Sequence, residues 1–193
     1  MMKYLKPATL FDRLIKMNSK IPGIELATGK ANLLLGLDIR QNYVGLAVSD
    51  YLNLVSYPIM PCKNHMDSVK KYFPGVIARY NIFGFIVGKP TNVRWRHLKD
   101  DEVHVKKFIS DLQNTGKFKG LKYTYWCDVF ASKHIELEYK LNVEDYLKDL
   151  PSYKQELLVQ KFAAVGTLKA YLNHYRDVED EYENAKMNLN ANK

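Results

Sequence analysis

The run Leu33-Leu34-Leu35-Gly36-Leu37-Asp38 constrains this chain more than any other feature. An apolar stretch this short is a buried strand rather than a helix, and it ends on a carboxylate. Tyr43-Val44-Gly45-Leu46-Ala47-Val48-Ser49-Asp50 follows after Ile39-Arg40-Gln41-Asn42 and reads as its antiparallel partner. A carboxylate at a strand tip sits at the rim of a sheet. The strand fixes its backbone there, and a metal ion or a substrate can reach it. An isolated Asp at such a place is more commonly a turn former. Asp50 fits that role, as a cap on the second hairpin.

A third strand is expected over about Leu54 to Pro58, completing a meander. His65 to Tyr80 reads as a helix that Pro74-Gly75 would kink or split. Ile82 to Val87 is a buried strand. His97 or Asp100 to Leu112 is an amphipathic helix with Val103, Val105, Phe108, Ile109 and Leu112 on its apolar side. Leu121 to Trp126 is the last strand, Ser132 to Leu141 a helix, and Pro151-Ser152 opens a final helix to about His174. Phe162, Val165, Leu168 and Leu172 are its core stripe. Strands in hairpins followed by strands alternating with helices predict an α/β domain: a mixed five-stranded sheet, three strands antiparallel and the later ones parallel, with helices on both faces.

Residues 1–30 read as an appendage, a short helix capped by Thr9 with Leu10, Leu14, Ile15 and Met17 on one face, then a linker containing Pro22, Gly23 and Gly29. Residues 31–176 form the domain. Residues 177–193 are acidic and Asn-rich, and are expected to fray or be disordered.

Composition narrows the class. A hydrophobic fraction of 47% in 193 residues is that of a globular protein with one core. No apolar stretch approaches the roughly 18 residues of a membrane span. Cys62 and Cys127 lack metal-type spacing, which favours a reducing compartment, with Cys127 a small buried residue. The expected location is cytoplasmic, with organelle import by the N-terminal segment as the weaker reading. The five histidines are scattered and read as surface residues. The net charge is +8, and residues 61–122 carry thirteen Lys/Arg against five Asp/Glu. A basic middle with an acidic tail suggests a polyanionic partner such as nucleic acid. The bland alternative is a solvated basic surface.

Asp38 ends the first strand and Asp128 follows the last one, after Tyr125-Trp126-Cys127. The final helix begins near the same rim and is placed to supply a third ligand. Two divalent cations over one phosphate need such shared carboxylates. Asp128 is equally well placed to cap the following helix.

Gly36-Leu37-Asp38 and Gly45-Leu46-Ala47-Val48-Ser49-Asp50 resemble the opening signature of the YqgF (RuvX-like) family of ribonuclease H-like proteins. Phe85-Ile86-Val87-Gly88-Lys89-Pro90 is similar to that family's strand and Val-Gly-x-Pro turn. Asp128 with Ala131-Ser132 lies where the family has Asp-Glu-Arg-x-Thr-Ser/Thr, and Lys161-Phe162-Ala163-Ala164-Val165 resembles its last helix. The resemblance spans residues 33 to 175. It implies a ribonuclease H-like fold, Mg²⁺ or Mn²⁺ as cofactor, and cleavage of structured nucleic acid, in rRNA precursor processing or on branched DNA. It implies metal ligation by Asp38 and Asp128.

The departures from the pattern are specific. Arg40 stands where the family has Gly, and it has a guanidinium to offer phosphate. Gln160 stands where the helix carries Asp, and its amide brings oxygen without charge. Glu156, one turn earlier, is a candidate substitute. Val129 replaces the family's Arg. Beyond Pro90, Arg94-Trp95-Arg96 suits phosphate gripping and base stacking, with Lys89 and Arg40 as further phosphate contacts. A surface loop with Trp95 folded onto the core fits the same residues. The alternative function is a nucleic-acid-binding pseudonuclease of the same fold, monomer or homodimer. An actin-like ATPase would need a second phosphate hairpin and a Gly-rich adenosine pocket, which this chain lacks.

Overall fold

The computed structural model describes residues 1–89, 97–127 and 150–191. Its strands are β1 (Lys3–Tyr4), β2 (Leu33–Ile39), β3 (Tyr43–Ser49), β4 (Ser56–Lys63), β5 (Ile82–Gly88) and β6 (Lys122–Trp126). Its helices are α1 (Pro7–Asn18), the single turn α2 (Gly23–Glu25) leading into a π-turn at Leu26–Lys30, α3 (Met66–Arg79), α4 (His97–Asn114) and α5 (Ser152–Ala191). The strands form one sheet in the order β1-β6-β5-β2-β3-β4. The pairs β2–β3 and β3–β4 are antiparallel, and β2–β5, β5–β6 and β1–β6 are parallel.

Period-2 alternation divides the core between two faces. Leu35, Leu37, Val44, Leu46, Val48, Phe85 and Val87 face α3 (Val69, Phe73, Val76) and α4 (Val105, Phe108, Ile109, Leu112). Leu34, Ala47 and Ile86 face α1 (Leu10, Phe11, Leu14) and α5 (Ala164, Leu168, Tyr171, Leu172), as does Phe83, at the β2–β5 register shift that breaks the alternation.

The sheet has six strands rather than the expected five, because Lys3–Tyr4 pairs in parallel with Lys122 and Tyr123. The N-terminal residues expected as an appendage complete the core instead, with Met2, Leu10 and Leu14 buried. The Tyr171 hydroxyl donates to the Pro7 carbonyl at 2.8 Å. Asn18 clasps the far end of α1 to the start of β2. Its Nδ2 donates to the Asn32 carbonyl at 2.9 Å, and its Oδ1 accepts from the Asn32 backbone N–H at 2.9 Å. The same Oδ1 also accepts from Asn32 Nδ2 at 3.0 Å. Removing these three bonds by Asn18→Ala is expected to destabilise the fold by about 1–3 kcal/mol, read as a lower melting temperature. An unchanged melting temperature would show that the segment does not contribute to the folded core.

Several element boundaries also differ. The α1 N-cap is Lys6 with Pro7 in the first turn, not Thr9, because proline's fixed φ already starts the helix. Strand β4 runs on to Lys63 through Pro58 and Pro61. It is the sheet edge, where a missing N–H removes no ladder bond, and a register shift between Val44 and Leu46 accommodates the second proline. Helix α3 continues through Pro74, which is exposed, so solvent can satisfy the freed carbonyl. Helix α5 continues to Ala191 rather than ending near His174. Val103 and Phe162, expected in the core, are exposed, as is Cys127. The expected helix Ser132–Leu141 lies outside the described residues. Among the described residues, no helix is long and apolar enough to cross a membrane.

Candidate active site at the strand rim

Asp38 pairs with Gly45 across the β2–β3 ladder. Leu37 is level with Val87, and Val87 with Tyr125, so the next row carries Asp38, Gly88 and Trp126. Asp38 therefore stands at the rim where the parallel strands end, on the same face as Gly36 and hence on the α5 side.

Three glycines in the strand motifs let α5 lie directly on this face. A Cβ at Gly36 would come within 2.8 Å of the Leu168 Cβ and 3.0 Å of the Ala164 carbonyl oxygen. A Cβ at Gly45 would overlap the Gln160 carbonyl. A Cβ at Gly88 would meet the Thr167 hydroxyl at 3.1 Å. The three contact one helix stripe, residues 160, 164, 167 and 168. This seating places Gln160 beside the strand pair that carries Asp38.

Gln160 is 4% exposed, and its Oε1 is buried with no hydrogen-bond partner among the described residues. An orphaned buried acceptor costs on the order of 1–3 kcal/mol, so this atom calls for a ligand. The Asp38 carboxylate is partly shielded, and its Oδ2 accepts from Arg40 Nε at 3.0 Å. Both are hard oxygen donors of the kind that divalent Mg²⁺ or Mn²⁺ prefers, so the donor set fits such an ion. No group of three His, Cys, Asp or Glu converges among the described residues.

Arg40, expected as a phosphate contact, is thus also the ion-pair partner of Asp38. The signal was present in the sequence, since residues two apart on a strand share a face. The Arg40 carbonyl in turn accepts from Asn64 Nδ2 and lies 3.3 Å from His104 Nε2. His104, expected at the surface, is half-buried, and its ring nitrogen lies 2.9 Å from Asn64 Nδ2. It braces the β2–β3 turn from α4. Lys89 lies at the rim, where its backbone N–H donates to the Trp126 carbonyl and its ammonium pairs with Glu102 at 3.1 Å. Hydrogen bonds from Lys106 and from Lys89 hold the Glu102 carboxyl below the usual carboxylate range. Trp126 Nε1 is a second polar atom at this end of the sheet that is buried without a partner among the described residues, and no sequence pattern announces it.

Asp128, Arg94, Trp95 and Arg96 lie outside the described residues. For Glu156 only the backbone, one turn before Gln160 in α5, is described.

A sheet with three antiparallel strands continued by parallel ones, helices on both faces and an acidic residue at the rim of its central strand β2 defines the ribonuclease H-like class. Within that class, the model of the family "RuvX: Holliday junction resolvase" matches residues 32–174, and the chain belongs to this family. It is 28% identical over 146 residues to a Caldicellulosiruptor bescii protein curated as "Putative pre-16S rRNA nuclease", covering 74% of this chain and 96% of the relative. A Carboxydothermus hydrogenoformans protein of the same description is 27% identical over 145 residues, covering 72% of this chain and 95% of the relative. Among solved structures, T. thermophilus RuvC in complex with a Holliday junction substrate aligns at 15% identity and TM-score 0.44, over 75% of this chain and 96% of that one.

Proposed function

We propose that this chain is a divalent-metal-dependent nuclease acting on structured nucleic acid, in rRNA precursor processing or on branched DNA. The observation that carries the reading is the buried Gln160 Oε1, without a partner among the described residues and seated on the Asp38 side of the sheet. Family membership supports nuclease or resolvase chemistry. Asp38 and Gln160 would hold Mg²⁺ or Mn²⁺, with Asp128 and Glu156 as further candidate ligands. Such an ion supplies an activated water and charge neutralisation at a scissile phosphate. Within the chain itself, Asp38 fixes the negative charge at the rim. Arg40 holds that carboxylate in place and, being half-exposed, presents a cation toward solvent for phosphate. Lys89, Arg94, Trp95 and Arg96 are the proposed further contacts to backbone and base.

The test is cleavage of a precursor-rRNA fragment and of a four-way DNA junction in Mg²⁺ or Mn²⁺, with wild type beside Asp38→Asn. Asp38→Asn is expected to lower cleavage by about two to three orders of magnitude, the scale of losing roughly 3–4 kcal/mol of transition-state stabilisation. Binding should persist in that variant. Cutting that survives Asp38→Asn would remove the rim from the chemistry.

One observation favours a second reading, a binding protein that no longer cleaves. The Arg40–Asp38 ion pair and the neutral Gln160 both lower the negative charge offered to a cation. Salt-sensitive binding by wild type without turnover in either metal would establish it.

A further inference from the structure

Away from the rim, α1 and the beginnings of β5 and β6 enclose an open concavity of about 300 Å³ lined by Arg13, Lys16, Met17, Lys20, Phe83 and Lys122. Four of those six residues are cationic. None of the four pairs with a carboxylate among the described residues. Asp12, their sequence neighbour, lies toward Tyr171 and Tyr175. Lys122 is held inward, its Nζ 4.2 Å from the centre of the Phe83 ring. Burial, and then the like charge of Arg13, push its ammonium below the ordinary lysine range. Like charges crowded onto a concave surface repel one another, and a polyanion removes that repulsion.

The placement identifies the polyanion. Phe83 and Lys122 lie at the opposite ends of β5 and β6 from Gly88 and Trp126, on the sheet face that carries Asp38 and is covered by α5 with Gln160. Trp126 lies four residue steps along β6 from Lys122, about 13 Å at roughly 3.3 Å per residue. That span is comparable to the width of a nucleic-acid groove, about 12 Å. Three of the four cations precede residue 32, where the family match begins, so the feature is an addition to the shared domain.

We propose that Arg13, Lys16, Lys20 and Lys122 form a second phosphate-binding site that grips the sugar-phosphate backbone of a nucleic-acid arm leading away from the rim. This rests on the reading of the rim as a nucleic-acid site. The grip is electrostatic and carries no sequence preference, because it reaches phosphate and not base edges.

The experiment compares the full-length wild type with Arg13→Ala/Lys16→Ala/Lys20→Ala. All three side chains are exposed, and alanine favours helix at Arg13 and Lys16, so the fold is retained, which circular dichroism checks. Affinity is read by fluorescence anisotropy across a salt series, using four-way DNA junctions with long arms and with arms trimmed close to the branch point. The variant is expected to bind the long-armed junction on the order of tenfold more weakly, with a log–log salt slope shallower by about 2–3, near 0.9 per lost phosphate contact. The trimmed junction should bind both proteins alike. Lys122→Gln alone should reduce the slope by about 1. Equal affinity and slope for wild type and variant on the long-armed junction would overturn the second site and leave the rim reading intact. Arm-dependent binding by a protein that cleaves nothing would support the second site and overturn the nuclease reading instead.

Discussion

Gln160→Glu is expected to make the fold depend on divalent metal. The substitution is isosteric and places a carboxylate oxygen where the orphaned Oε1 now sits, at a position 4% exposed. Without metal, a second buried negative charge on the Asp38 side of the sheet is unfavourable. Desolvation and the nearby like charge together are worth several kcal/mol, and the new carboxyl takes up a proton to relieve part of it. The apparent melting temperature should therefore fall in chelator and rise again in millimolar Mg²⁺ or Mn²⁺. A ligand at about a hundred times its dissociation constant returns roughly 2.7 kcal/mol. Wild type, with its neutral amide and its Arg40-paired Asp38, should show a much smaller metal-induced shift. The pH dependence has a defined sign. A carboxyl whose folded-state pKa is raised favours the folded state at low pH and loses that contribution as pH rises, so the metal-free variant should be more stable in mild acid. Thermal melts with and without metal decide the matter independently of any cleavage assay. No metal-dependent shift in the variant would mean that Gln160 does not face a cation site.

Gly45→Val should prevent stable folding. A Cβ at this position meets the Gln160 carbonyl carbon at 2.8 Å and the Ala164 Cβ at 3.4 Å. The first of these is backbone, so no rotamer change relieves the overlap, and α5 must lift from the sheet. Overpacking of side chains alone costs about 1–3 kcal/mol. Displacing a helix that supplies Ala164, Leu168, Tyr171 and Leu172 to the core costs more. Valine's better strand propensity returns no more than about 1 kcal/mol, so the clash wins. Gly75→Ala provides the contrast. Nothing lies within 4 Å of the Cβ it would add, and it sits within α3. It should stabilise by about 0.5–1 kcal/mol by reducing the freedom of the unfolded chain. Chemical denaturation of the two variants tests both signs. A Gly45→Val protein as stable as wild type would show that α5 does not sit on β3 as described.

Much of the fold was legible because local chemistry and tertiary packing agreed. Leu33–Asp38 and Tyr43–Ser49 are apolar runs bounded by polar turns, and both are strands at nearly those limits. Asp50 was legible as a turn cap, and its Oδ1 accepts from the Leu54 and Val55 backbone N–H groups at 2.7 and 3.0 Å. A proline argues against a continuing strand, so the sequence alone ends β4 at Pro58, whereas the strand's edge position makes proline harmless. Residues 1–30 read as an appendage because a two-residue strand has no periodicity to detect. Their place in the core follows from pairing with β6, more than a hundred residues away. At the site, the strand pattern marks Asp38, and the family resemblance marks Gln160. The ion pair between Asp38 and Arg40 was implicit in strand alternation but not drawn from it.

What the sequence by itself determined is the chemistry offered and the strand frame. A carboxylate ends an apolar strand, the amide of Gln160 lies on the last helix, glycines mark the strand motifs, and positive charge is concentrated before and within the domain. These follow from residue identity and from periods of two and 3.6, which are local properties. Tertiary structure alone decided that the Gly36 and Gly45 gaps are filled by α5, that Gln160 Oε1 is thereby buried without a partner among the described residues, and that Arg13, Lys16 and Lys20 converge with Lys122. Each of those outcomes depends on contacts between segments far apart in the chain, where burial and proximity, not residue type, set whether a polar or charged group has a partner.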